Sequence, residues 1–225
     1  MCRAAAADGV EAVIATPHLR REPWVGLEHD EVVRLVAQLE RELAGDGPRV
    51  VPGGEIAVDS ELLDDLLTGP SADLVSLAGS RYVLLEFDLW APWSDPAELV
   101  HELRIAGWRP VVGHPERIPW LAEDSGLLAE IVAAGGLLQL TAMSVTGGFG
   151  RRAQNCCGFL IDHGLAHFVA SDGHNLDTRP PVLSPARQVV GKVWGDEAAE
   201  RLTRLNPAAV LADQPLEVEK EVRVS

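Results

Sequence analysis

Five short apolar runs in this chain each end in a side chain that can ligate a metal or carry a proton. Val13-Ile14-Ala15-Thr16-Pro17 ends at His18, Val50-Val51-Pro52-Gly53-Gly54 at Glu55, and Tyr82-Val83-Leu84-Leu85 at Glu86. Pro110-Val111-Val112-Gly113 ends at His114, and His167-Phe168-Val169-Ala170-Ser171 at Asp172, with His174 two residues on. A sixth run, Gly136-Leu137-Leu138-Gln139-Leu140, delivers no such residue. Singly, each has an ordinary reading: His18 is a histidine after a proline in a loop, and Glu55 a solvated glutamate in a turn. Glu86 resists that reading, because a carboxylate closing a buried strand needs a cation or a metal. The two-residue step from Asp172 to His174 aims both at one side of an extended segment. Together these residues point to a shared metal centre. Mixed imidazole and carboxylate ligands suit Mn, Fe or Zn better than Ca, and the lack of cysteine ligands argues against structural zinc. His29, His101, His163 and His167 read as surface or packing residues. Trp90 and Trp93 follow Glu86 and read either as the wall of a substrate groove or as ordinary packing.

Strand-like runs alternate with helical ones, the pattern of a parallel sheet. Leu27, Val32, Leu35, Val36, Leu39 and Leu43 recur at helical spacing, which predicts an amphipathic helix over about 28–44. Residues 60–67 read as a short helix. Asp95-Pro96 opens another that runs to about Ala106, with Gly107 as its stop. Further helices are predicted over about 119–134 and 149–163, with two or three more after Pro185. Residues 1–8 read as the back half of a helix ended by Gly9. Parallel barrels keep their active sites at the C-terminal ends of their strands, so architecture and chemistry agree. Six strands are too few for an eight-fold barrel, and a helix precedes the first of them. The chain is therefore expected to begin inside its first β/α unit.

With 225 residues and 47% apolar side chains, the expectation is one domain over 1–225 with a full core and an acidic tail over 213–225. A net charge of −15 argues against nucleic acid as a partner, since a phosphate backbone repels an acidic surface. The cysteines are Cys2, Cys156 and Cys157, an odd count that predicts no disulfide framework. Cys156 and Cys157 read as small buried hydrophobes. Neither has an arginine six positions on, so the spacing of thiol-based tyrosine phosphatases is missing. No signal-peptide pattern or membrane-length apolar stretch occurs, which makes the cytoplasm the expected compartment.

Several stretches together resemble the polymerase and histidinol phosphatase (PHP) superfamily. More narrowly, they resemble the bacterial manganese-dependent tyrosine phosphatases encoded with capsular and exopolysaccharide genes. The stretches are Ala15-Thr16-Pro17-His18, Gly53-Gly54-Glu55-Ile56, Leu84-Leu85-Glu86-Phe87 and Gly113-His114-Pro115-Glu116-Arg117. They continue with Gln139-Leu140-Thr141-Ala142, Thr146-Gly147-Gly148-Phe149-Gly150, Ala170-Ser171-Asp172-Gly173-His174 and Thr178-Arg179-Pro180, and span roughly 12–212 in the family's order. The resemblance implies a distorted seven-stranded β/α barrel holding up to three manganese ions. It implies hydrolysis of phosphotyrosine by a metal-activated hydroxide, chiefly on a partner tyrosine kinase that controls polysaccharide assembly. His18 and His174 would share one metal, Glu55 would bridge two, Glu86 and His114 would complete the second, and Asp172 would serve the third. Arg117 and Arg179 would grip the phosphate oxygens as planar forks.

The family's first strand carries a His-x-His pair and then an acidic ligand, and this chain contains no His-x-His. The expectation is a barrel whose first strand is missing here, through a late start codon or a real loss, and a chain that binds metal weakly and hydrolyses phosphate esters poorly or not at all. Two alternatives stand beside a tyrosine phosphatase. One is a small-molecule phosphomonoesterase of histidinol-phosphatase type, and the other a non-catalytic remnant that binds a partner.

Overall fold

The structure, a computed structural model, describes residues 1–19, 29–59, 66 and 76–216. The first two apolar runs each form two short strands rather than one. They are β1 (Ala12–Ala15) and β2 (His18–Leu19), then β3 (Arg49–Pro52) and β4 (Glu55–Ala57). The breaks fall at Pro17, which has no N–H to give a ladder, and at Gly53-Gly54. The later runs form β5 (Tyr82–Glu86), β6 (Arg109–Gly113), β7 (Leu137–Thr141) and β8 (Phe168–Ala170). β1 pairs with β3, and the other six form a sheet in the order β2-β4-β5-β6-β7-β8. Every pairing is parallel. Hydrogen bonds among the described residues do not close this wall into a barrel.

The helices follow from capping and periodicity. α1 (Cys2–Ala7) precedes β1, and Gly9 leaves it at φ 89°. α2 (His29–Leu43) buries Val32, Val36 and Leu43 on one face, as its spacing predicts. α3 (Pro96–Ile105) starts where the Asp95 carboxylate accepts the Glu98 N–H. The helix predicted over 119–134 is two: α4 (Pro119–Ala122) and α5 (Ser125–Ala133). The chain breaks there because the Asp124 side chain takes the Leu127 N–H and caps a fresh helix. α6 (Ala142–Val145) and α7 (Gly150–Asp162) follow β7. α8 (Ser184–Trp194), α9 (Asp196–Glu200), a π-helical turn (Arg201–Leu205) and α10 (Asn206–Leu211) complete the chain's described helices. The helix predicted over 60–67 lies outside the described residues apart from Leu66, as does Leu27 at the head of the α2 pattern. Among the described residues no helix is long and apolar enough to cross a membrane.

The two faces of the sheet differ. Val83, Leu85, Val112, Leu138, Leu140 and Val169 join the main core with the helices. Tyr82, Leu84, Val111, Leu137 and Phe168 alternate with them and form a smaller cluster with Leu77 and Val210. That inner cluster occupies the N-terminal half of the strands. Asp213 and Gln214 were expected to open a solvated tail, but they are tied to this end. Arg109 and Arg81 bind the Asp213 carboxylate, and the Tyr82 hydroxyl donates to the Gln214 carbonyl at 2.6 Å. Composition alone cannot distinguish an acid that solvates a tail from one that answers two arginines. Residues 217–225 lie outside the described residues.

Candidate metal centre

The C-terminal half of the same inner face carries the ligand-type residues. In the parallel register His18 stands opposite Glu55, and Glu55 opposite Leu84. Glu86 lies two residues beyond Leu84, so strand alternation turns it to the same side as Glu55. One ligand atom each from His18, Glu55 and Glu86 lie within 4.8 Å of one another. His114 joins them from the end of β6, with Nε2 3.0 Å from Glu55 Oε1 and 3.8 Å from Glu86 Oε1. A Cβ on Gly113 would come within 3.2 Å of Glu55 Oε1, so the missing side chain leaves room for the carboxylate. The backbone bends sharply at two of these residues: His114 has φ 36° and Asp172 φ 49°. Left-handed conformations in non-glycine residues concentrate at functional sites.

Electrostatics bind the cluster together. Hydrogen bonds to Glu55 and Glu86 raise the His18 pKa to about 9. Burial pushes the Glu55 carboxyl up, but hydrogen bonds from His114 and His18 outweigh it and hold the group at about 2. Burial lowers the His114 pKa, and its bond to Glu55 raises it further than burial lowers it. His114, Glu55 and Glu86 sit almost dry (5%, 5% and 8% exposed), with His18 half-buried beside them. Buried His114 Nδ1 has no hydrogen-bond partner among the described residues. A divalent cation fits this donor set, since it replaces the imidazole protons as the positive partner of both carboxylates.

Asp172 and His174 lie beside this cluster rather than within the closest group. The His174 and His18 rings meet edge to face at 6.0 Å, and His174 Nδ1 is 3.0 Å from the Asp172 carbonyl. The Asp172 carboxylate sits between the two predicted phosphate-binding arginines. Arg117 Nη1 donates to Oδ2 at 2.5 Å, and Arg179 Nη2 donates to the same oxygen. Arg179 Nε is buried without a partner among the described residues. Sequence reasoning gave no role to Glu116, yet its wholly buried carboxylate accepts the Thr141 N–H at 3.0 Å and ties the Pro115–Arg117 turn to β7. Its neighbours His114 and Arg117 were the available signal. Trp90 is 81% exposed, and Trp93 packs on the main core. His167 is buried packing, as predicted, and the three cysteines are free.

A parallel α/β fold with a mixed histidine and carboxylate centre at its strand ends, beside paired arginines, defines a metal-dependent class of protein. Residues 1–212 match the family described as capsular polysaccharide synthesis, CpsB/CapC, and the chain belongs to it. The tyrosine-protein phosphatase YwqE of Bacillus subtilis is 34% identical over 96% of this chain and 84% of its own length. The tyrosine-protein phosphatase CpsB of Streptococcus agalactiae is 27% identical over 90% of this chain and 85% of its own. Crystal structures of YwqE from Bacillus subtilis and CpsB from Streptococcus pneumoniae describe unique metal-dependent tyrosine phosphatases. A chain from that work superimposes with a TM-score of 0.91 at 32% identity, covering 100% of this chain and 90% of that one.

Proposed function

We propose that this chain is a metal-dependent protein-tyrosine phosphatase. The observation that carries the reading is the meeting on one face of a His/Glu/Glu/His cluster and two arginines that share a carboxylate oxygen. Similarity along nearly the whole chain to named tyrosine-protein phosphatases supports it. His18, Glu55, Glu86 and His114 hold the metal ions with Asp172 and His174. Manganese is the ion we assign, with iron or zinc as alternatives of like ligand preference. When bound, such ions acidify water and offset charge on phosphoryl oxygens. Arg117 and Arg179 grip the phosphate, and Arg179 Nε, without a partner among the described residues, can donate its N–H to a phosphate oxygen. A tyrosyl leaving group has a pKa of about 10, so it departs with less help from a general acid than an alkoxide. Cys156 and Cys157 are poor nucleophiles: burial pushes the Cys156 thiol up to about 12 and raises that of Cys157 as well. The substrate we assign is a phosphotyrosyl protein in the cytoplasm, a tyrosine kinase that regulates capsular or exopolysaccharide synthesis.

The test is phosphate release by the manganese-loaded chain from a phosphotyrosyl peptide, with histidinol phosphate run alongside. We expect slow turnover of the peptide, in keeping with the missing His-x-His ligands, and its loss in the double change Glu86→Ala with His114→Ala. Cleavage of histidinol phosphate alone would move the chain to that enzyme type. Turnover of neither, with partner binding untouched by the double change, would make it a binding protein.

A further inference from the structure

Phe149 is an aromatic residue outside both hydrophobic clusters of the described residues. Its ring faces two cations instead. The guanidinium carbon of Arg117 lies 4.4 Å from the ring centroid, and that of Arg179 5.9 Å. Both are within the roughly 6 Å over which an aromatic face attracts a cation. The ring is held there from two sides. Gly150, at φ 87°, turns the chain into α7 immediately after Phe149. One turn along, Arg152 donates to the Pro119 carbonyl at 2.9 Å and pairs with Glu123 at 2.5 Å. These contacts anchor the start of α7 beside the turn that carries Arg117.

Two guanidinium groups that grip one phosphate must stay side by side although like charges repel. Asp172 offsets that repulsion from one side, and the electron-rich face of Phe149 offsets it from the other. We propose that Phe149 is a positioning residue, a common platform that keeps Arg117 and Arg179 aligned for a phosphoryl group. The inference rests on the reading of these arginines as the phosphate clamp. A cavity of about 220 Å³ opens beside the ring, lined by Glu116, Arg117, Pro119, Phe149, Arg152 and Ala153. Contact of Phe149 with a substrate's aromatic ring is therefore the competing role. The observed geometry favours the platform, because Arg117 stands over the ring.

Phe149→Leu keeps an apolar side chain and removes the π face, and Phe149→Trp restores a face that binds cations at least as well. The manganese-loaded wild type and both variants are titrated calorimetrically with orthophosphate, then assayed on phenyl phosphate and ethyl phosphate. The Leu variant is expected to bind orthophosphate about five- to tenfold more weakly and to raise KM for both esters alike. The Trp variant should stay within about twofold of wild type, with all three melting together. Unchanged orthophosphate binding in the Leu variant would overturn the platform. So would a loss confined to the phenyl ester, or a Trp variant as weak as Leu. A wild type that turns over neither ester, yet loses orthophosphate affinity in the Leu variant, would sink the phosphatase reading and leave the platform standing.

Discussion

The inner face of the sheet ends in charged groups at both edges, and the two edges treat charge differently. At the N-terminal edge the groups answer one another. Arg109 donates to the Asp213 carboxylate and carbonyl at 2.8 and 3.0 Å, and the Arg81 N–H reaches the same carboxylate at 2.9 Å. At the C-terminal edge Glu55 and Glu86 converge on the imidazoles of His18 and His114 among the described residues. Those imidazoles balance the acids while they hold protons, and a cation can displace the protons. Burial therefore does not separate structure from function here. The side whose acids are balanced by displaceable protons rather than by fixed guanidinium charge does.

The sharpest way to break this contrast is at Glu55, which touches both His18 and His114. Glu55→Ala should lower bound manganese and reduce kcat/KM on a phosphotyrosyl peptide about 10³-fold, the scale of several kcal/mol of lost charge stabilisation. Metal analysis and kinetics on one preparation check it, and a fully active variant would erase the distinction between the edges. Arg179→Ala should cost less, on the order of 10²-fold, with manganese content unchanged. Arg179→Lys should recover little, because a point charge lacks the planar fork.

Much of this edge was legible because a strand repeats every two residues. Once the runs ending at Glu55 and Glu86 are read as neighbouring strands, both carboxylates are committed to one region. Phe149 shows the limit: its motif is visible, but nothing local says that its ring meets two arginines from distant turns. Asp8 is illegible for the same reason. It reads as a helix end, yet its carboxylate accepts the N–H groups of Leu183 and Ser184, 175 and 176 residues away. The splits at Pro17 and Gly53 leave every run in place and change only where pairing resumes.

The N-terminal edge predicts effects on stability and none on chemistry. His167 immediately precedes β8 there, and its Nδ1 accepts the Leu138 N–H at 3.1 Å, which requires an unprotonated nitrogen. Burial, aided by nearby Arg201, lowers its pKa to about 4. The unfolded chain takes up that proton near pH 6.5, about the ordinary value. Between these values the unfolded state binds more protons, so stability falls as pH drops from about 6.5 toward 4. The full loss from this group is on the order of 3 kcal/mol. Urea unfolding at several pH values should show a flatter acid limb in His167→Gln, whose amide oxygen can still accept the Leu138 N–H. Parallel curves for variant and wild type would remove His167 as the cause.

The smallest effect belongs to Asp213, where charge and hydrogen bonding can be separated. Its backbone is left-handed at φ 49°, a conformation asparagine tolerates well. Asp213→Asn keeps an oxygen for the Arg81 N–H and for Arg109 but removes the charge. Asp213→Ala removes both and adds backbone strain. Because the Asp213 side chain is 42% exposed, solvent screens its ion pairs, and the Asn change should cost under about 1 kcal/mol. The Ala change should cost about 1–2 kcal/mol more, from the unsatisfied Arg81 and Arg109 donors and the strain. Chemical denaturation gives both numbers, and kcat on a phosphotyrosyl peptide should be the same for all three proteins. A fall in kcat with Asp213→Asn would mean that the two edges communicate through the strands. The apolar inner cluster between them, Leu84 and Val111 against Leu137 and Phe168, offers no chain of polar groups to carry that effect.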